Sequence, residues 1–105
     1  MWSTTAEVDE NWTTAYETKP SPVKLSWDLL PWTQLADVVD VLTTGAGDRG
    51  EFGWQTRPKI EHVRAFARHA VAYLRGERFD PQSKKPTLAH VIARALMVMW
   101  HDGVK

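Results

Sequence analysis

At 105 residues, with no cysteine and with thirteen basic side chains balanced by thirteen acidic ones, the chain has no material for a disulfide framework, a thiolate metal site or a cysteine nucleophile. A formal net charge of zero also argues against a general nucleic-acid binder that works by neutralising phosphates. The length suits one domain close to the size at which a core is marginal, a shortfall that a dimer or higher oligomer relieves.

The charge is unevenly spread. Up to Asp48, eight acidic residues stand against Lys19 and Lys24; from Arg49 onward, eleven basic residues stand against five acidic ones. The second half is therefore expected either to attract an anion or to attract the first half. Six tryptophans against three phenylalanines and two tyrosines make a tryptophan-rich set, suited equally to cores, interfaces and stacking on bases. No basic leader with an apolar stretch behind it and no run of about eighteen apolar residues is present. A soluble, cytoplasmic protein without a membrane partner is the expectation.

Residues 1–22 carry Trp2, Trp12 and Tyr16 without a sustained period of 3.6 or 2. They read as an N-terminal arm, either packed through its aromatics or disordered, with Ser21-Pro22 at its boundary. Residues 23–105 read as a single helical domain. A short apolar segment, Lys24 to Pro31, leads into a helix whose first turn can hold the proline. Leu35, Val38, Val39 and Leu42 form its apolar stripe, and Gly45 is expected to stop it. Asp37 and Asp40 lie off the stripe, as a solvated face or, less simply, as a carboxylate pair for a divalent cation.

Gly45 to Pro58 contains four glycines with Phe52 and Trp54 and is expected to form a long glycine-rich loop. It either wraps a ligand or is a connection pinned by two buried aromatics. It matches neither the phosphate-loop nor the dinucleotide fingerprint. The next helix starts near Pro58, with Ile60, Val63, Ala67, Ala70, Val71 and Leu74 as its stripe and Gly76 as its stop. Arg64, Arg68 and Arg75 run down one side, able to meet water and Glu61 or to grip phosphates. His69 lies among them.

A polar connection of about ten residues follows, longer than a minimal helix-to-helix turn. Pro86 or Thr87 opens the third helix, with Leu88, Val91, Ile92, Ala95 and Met99 in period. Its Ala95–Trp100 run is apolar all round, which predicts a central or shared helix. His90, Arg94, Met97 and His101 form the side expected to face a cleft or a neighbour. The adjacent His101-Asp102 pair lacks the further ligands that a metal phosphohydrolase site of that kind needs. No repeat or strand pattern is visible, so the fold class is all-α, with three to four helices, and the stretch from Arg68 to His90 is the candidate site.

In combination these residues resemble the N-terminal domain of dATP/dGTP diphosphohydrolases, proteins of phage nucleotide metabolism. The likeness rests on Lys24 with Asp28-Leu29-Leu30-Pro31, on Gly45-Ala46 followed by Gly50 and Trp54, and on Arg68-His69, Gly76-Glu77, Asp80-Pro81 and Leu88-Ala89-His90. The resemblance implies a helical domain that hydrolyses a purine deoxynucleoside triphosphate to monophosphate and pyrophosphate, with Mg²⁺ or Mn²⁺, in the cytoplasm of an infected bacterial host. On that basis His69, His90 and Glu77 are the candidate catalytic residues. Arg68, Arg64, Arg49 and Trp54 are the candidate substrate contacts, and Glu77, Asp80 and Asp28 the candidate metal ligands.

The chain departs from the family pattern at Asp48-Arg49, where Lys-Tyr is usual, at Gly53 and Arg94, where Asn is usual, and at Thr87, where His is usual. Each change removes a potential ligand or base-reading group. Two alternatives therefore stand beside the enzyme: a non-catalytic module that binds or sequesters a nucleotide, and a structural homo-oligomer.

Overall fold

The computed structural model describes residues 24–103, which hold three α-helices and two short 3₁₀ turns. The helices are α1 (Trp32–Arg49), α2 (Lys59–Leu74) and α3 (Thr87–His101). The 3₁₀ turns are Trp27–Leu29, ahead of α1, and Gly53–Thr56, between α1 and α2. Among the described residues the extended pairing is a lone bridge between Phe79 and Pro86, so the expected all-α class holds. The N-terminal arm lies outside the described residues.

Proline marks each helix start. Pro31, Pro58 and Pro86 occupy the three N-cap positions in extended backbone, where a missing N–H costs nothing and the fixed φ directs the chain into the first turn. The stops are less uniform. Gly76, at φ 100°, closes α2 with its amide donating to the Tyr73 carbonyl and the Glu77 amide donating to the Ala72 carbonyl, the paired arrangement that satisfies the last carbonyls of a helix. Gly45 does not stop α1. The helix runs through it and through Gly47 to Arg49, and Gly50, at φ 90°, ends it. The expected long glycine-rich loop therefore shrinks to the stretch around the second 3₁₀ turn, in which Phe52 is exposed and Trp54 half-buried. Glycine lowers helix propensity by only about 1 kcal/mol, too little by itself to end a helix.

The third helix is central, as its apolar run predicts: α3 packs along α2 on one side and against α1 on another. Small residues allow this. Ala89 and Ala93 of α3 and Val38 of α1 form the core, with Leu35, Val41 and Leu42 packed against it. Val39, expected on the stripe, is exposed, and Val41 takes its place. On α2 the inward face carries His62 and Ala65, whereas Ile60, Val71 and Leu74 of the expected stripe point to solvent.

Lys59 pairs with Asp102 across the open ends of α2 and α3. The Lys85 Nζ to Asp40 Oδ2 contact of 2.6 Å ties the loop before α3 to α1, one point at which the basic second half meets the acidic first half.

Two glycine substitutions test the course of α1. An added Cβ at Gly47 meets nothing within 4 Å, so G47A is expected to stabilise the chain by about 0.5–1 kcal/mol. G50A forces a side chain into backbone that only glycine tolerates and is expected to destabilise it by about 1–3 kcal/mol. Urea unfolding of both variants measures the difference, and a destabilised G47A would mean that the helix ends before Gly47.

Candidate functional site

The connection between α2 and α3 is long but not loose. The Asp80 amide donates to the Lys85 carbonyl and the Lys84 amide donates back to the Asp80 carbonyl, both at 2.8 Å, while the Thr87 amide donates to Arg78. Inside that frame the Asp80 carboxylate accepts from the amides of Gln82 (3.1 Å) and Ser83 (2.8 Å), both on Oδ2. Asp80 is thus a brace for the loop. Burial alone would raise its pKa. The bonds from Ser83 and the nearby rings of His90 and His69 outweigh burial and hold the carboxyl below the usual range.

The braced loop closes one end of a cleft of about 980 Å³ that lies over α3, between α1 and α2. Drug-sized ligands occupy pockets of this order. On its floor His69 of α2 and His90 of α3 stack with ring centroids 4.6 Å apart and planes 19° from parallel. His90 is anchored by its Nε2, 2.7 Å from the Ser83 hydroxyl, which also receives the Lys85 amide at 3.2 Å. Burial lowers the pKa of both rings. Mutual proximity and Arg68 lower that of His69 further, Arg94 lowers both, and Asp80 opposes the shift in both. Both rings are therefore largely neutral at neutral pH and able to accept a proton.

Near them lies a group of cations. Arg94 of α3 lines the cleft together with Arg49 and Arg68. Its own pKa is lowered by burial first and then by Arg49, Arg68 and Arg57. Among the described residues none of Arg49, Arg68 and Arg94 has an ion-pair partner, whereas Arg57 is paired with Glu61 at 2.9 Å. The partner Arg94 does have is an imidazole: its Nη1 lies 2.8 Å from Nδ1 of His62. His62 Nε2 lies 2.8 Å from the Trp54 carbonyl oxygen. Trp54 completes this end with edge-on contacts to His62, Trp100 and His101.

The comparison with protein families matches residues 10–104 to dATP/dGTP diphosphohydrolase, N-terminal. The chain belongs to this family. No curated protein and no solved structure matches it.

Most of the residues that the family resemblance singles out line the one cleft: Arg49, Trp54, Arg68, His69, Glu77, Asp80 and His90. Two do not. Arg64 lies on an exposed position of α2, and Asp28, in the first 3₁₀ turn, is absent from the lining. Among the described residues no group of three or more His, Asp or Glu side chains is arranged to hold a metal ion.

Three residues of the site escape the sequence reading of roles. Ser83 is one polar loop residue among several, and only the fold sets it against His90. Arg94 is legible there as part of the polar side of the third helix and as a departure from the family pattern, but not as a cation of the cleft. His62 falls outside the apolar stripe of α2 and carries no signal at all, yet it is fully buried.

The shifted histidines make stability depend on pH with a definite sign. His62, His69 and His90 all have lowered pKa values, chiefly through burial. In the window below the ordinary histidine value the unfolded chain binds protons that the folded rings refuse. Stability is therefore complete above about pH 6.5 and falls as the pH drops toward the lower folded values. Thermal melting from about pH 8 to about pH 5 is expected to show a plateau and then a decline. A melting temperature that rises on acidification through that window contradicts the placement of the three rings.

Proposed function

We propose that the cleft binds the triphosphate of a purine deoxynucleotide and hydrolyses it to the monophosphate and pyrophosphate, the reaction that the family's description suggests. The observation that carries the reading is the cation group: Arg49, Arg68 and Arg94 converge on one cleft with no carboxylate paired to any of them among the described residues. Like charges gathered in a partly desolvated cleft repel one another until an anion joins them. Guanidinium groups also suit phosphate oxygens in bidentate geometry.

The same cleft offers a base. His90, fixed by Ser83, and His69, stacked on it, present neutral imidazole that can take the proton from an attacking water. Water oxygen then bonds to the α-phosphorus, the bond to the β-phosphate breaks, and pyrophosphate leaves. The three arginines stabilise the charge on the phosphate oxygens. Trp54, at the edge of the lining, offers a surface for the purine.

Glu77 and Asp80 both line the cleft, and Asp80 accepts both loop amides on Oδ2. One or two carboxylates plus substrate phosphates is the common protein share of a Mg²⁺ site, so these two residues would hold Mg²⁺ or Mn²⁺ brought by the nucleotide. Once bound, the cation supplies further neutralisation of phosphate charge.

A second reading, capture of a nucleotide without turnover, uses the same cleft and the same cations.

A homo-oligomer is part of the proposal. The buried apolar residues among those described are Val38, Ala65, Ala89, Ala93 and Met97, with no Leu, Ile, Phe or Trp. Meanwhile Leu88, Ile92, Leu96 and Met99 stand exposed on the face of α3 turned away from His90 and Arg94, and α2 adds Ile60, Val71 and Leu74. A chain this size whose larger aliphatics remain in water lacks the burial that folding requires. A second copy presenting the same stripes supplies it.

Two measurements test these statements. Purified protein given dGTP or dATP with Mg²⁺ or Mn²⁺ is expected to release pyrophosphate, with E77Q and H90Q slower by about tenfold or more. Thermal stabilisation by a nucleotide without product selects the capture reading, and indifference to every nucleotide removes both. In analytical ultracentrifugation the chain is expected to sediment as a dimer or larger and L96E as a smaller species. A monomeric wild type, or assembly that is lost on deleting residues 1–22 and untouched by L96E, sinks the role given to α3.

A further inference from the structure

His62 is buried to 0% exposure and is not among the residues that line the cleft, yet it touches two that are, Trp54 and Arg94. The chemistry of its two neighbours fixes its state. A carbonyl oxygen can only accept, so Nε2 carries the proton and donates it to Trp54. A guanidinium can only donate, so Nδ1 is bare and accepts from Arg94. The ring is therefore the neutral Nε2–H form. A second proton on Nδ1 would set N–H against N–H at 2.8 Å and place a cation beside a cation.

The contact also explains how a half-buried arginine is held without losing its charge. A carboxylate at position 62 would orient the same guanidinium and neutralise it. Imidazole orients it and leaves the full positive charge for the cleft. We propose that His62 is the positioning residue for Arg94: as neutral imidazole it aims the guanidinium at the bound anion, and on gaining a proton it releases Arg94 and weakens anion binding. The inference rests on the nucleotide-binding reading above and adds to it a residue outside the cleft that governs one inside.

The charged and titratable groups around His62 come from each packed element. From α3 they are Arg94 and His101, whose ring centroid is 5.2 Å away; from α2, Glu61; the 3₁₀ turn contributes the Trp54 carbonyl. Burial, Arg94 and His101 oppose the second proton, against the Trp54 bond and Glu61. In the cleft itself His69 and His90 also gain charge in acid, and their effect on anion binding has the opposite sign. The wild-type pH profile therefore mixes two terms, and a variant at position 62 separates them.

The probe is inorganic tripolyphosphate, titrated calorimetrically into the full chain, its H62Q variant and its H62F variant. Glutamine can donate to Trp54 and accept from Arg94 but does not titrate; phenylalanine can do neither. Near pH 8, H62Q is expected to retain most of the binding that H62F loses, with H62F weaker by about tenfold or more. As the pH falls to about 5, H62Q is expected to become the tighter binder, by about tenfold over wild type. A constant ratio of H62Q to wild type across that range, or H62F binding as tightly as wild type, overturns the role of His62 alone. Absence of binding by wild type at every pH sinks the nucleotide reading and the anion role of Arg94 with it.

The tautomer gives a readout that needs neither ligand nor the phenylalanine variant. Long-range proton–nitrogen spectra of the histidine rings, with His62 assigned by its loss in H62Q, are expected to show an Nε2–H ring at neutral pH. An Nδ1–H or doubly protonated His62 overturns the proposal.

Discussion

One imidazole imposes a constraint on three elements at once. His62 must donate to a carbonyl in the 3₁₀ turn before α2 and accept from a side chain on α3, and it must do so where water cannot substitute. Leaving either nitrogen unpaired in a buried site costs about 1–3 kcal/mol. The register of α2 against α3 and the seat of the Gly53–Thr56 turn on both are therefore linked. Trp54, whose backbone supplies the acceptor, is then delivered to the edge of the cleft with its ring packed against Trp100 and His101. Arg94 is delivered to the cleft from the other direction.

Close packing makes that constraint possible. Ala65 on α2 and Ala89 and Ala93 on α3 are almost fully buried, and such small side chains let helix backbones approach closely enough for an imidazole and a guanidinium to meet. The consequence is a core with little apolar volume, since the positions that would hold leucine in an ordinary bundle hold alanine or polar groups. The larger aliphatics lie instead on the exposed stripes of α2 and α3, so the polar interior and the apolar surface on which the proposed homo-oligomer rests follow from the same choice of residues.

This division decides what the sequence could and could not disclose. Helix starts were legible because Pro31, Pro58 and Pro86 act locally, and the Gly76 stop was legible because positive φ there is a local requirement. Gly45 misled because a glycine with open space around it is tolerated inside a helix, and only Gly50 has the backbone that demands one. On α2 the expected stripe has the helical period, but Ile60, Val71 and Leu74 are exposed in this chain, because periodicity marks a shared face and not which neighbour, if any, packs on it. A buried histidine beside an arginine has no periodic signature, which is why His62 could be found only from the fold. The candidate cleft was more legible than the core, because residues from Arg49 to His90 were tied together by the family likeness, while Arg64 and Asp28 fell where helix rotation and chain path, invisible to spacing, put them.

The sorting of cations gives the cleft its character. Lys59 and Arg57 are spent on carboxylates near the start of α2, and Lys85 is spent on Asp40 where the loop meets α1. These pairs are partly exposed, and exposed pairs contribute little to stability; their effect here is to take charge out of the neighbourhood of the site. Arg94 meets a neutral ring instead, and Arg49 and Arg68 raise the local potential around it. A carboxylate in place of His62 would neutralise the Arg94 charge. The cleft thus carries an electrostatic cost that the proposed anion would remove, so on that reading binding strength would follow from the charge left unpaired as much as from the contacts formed.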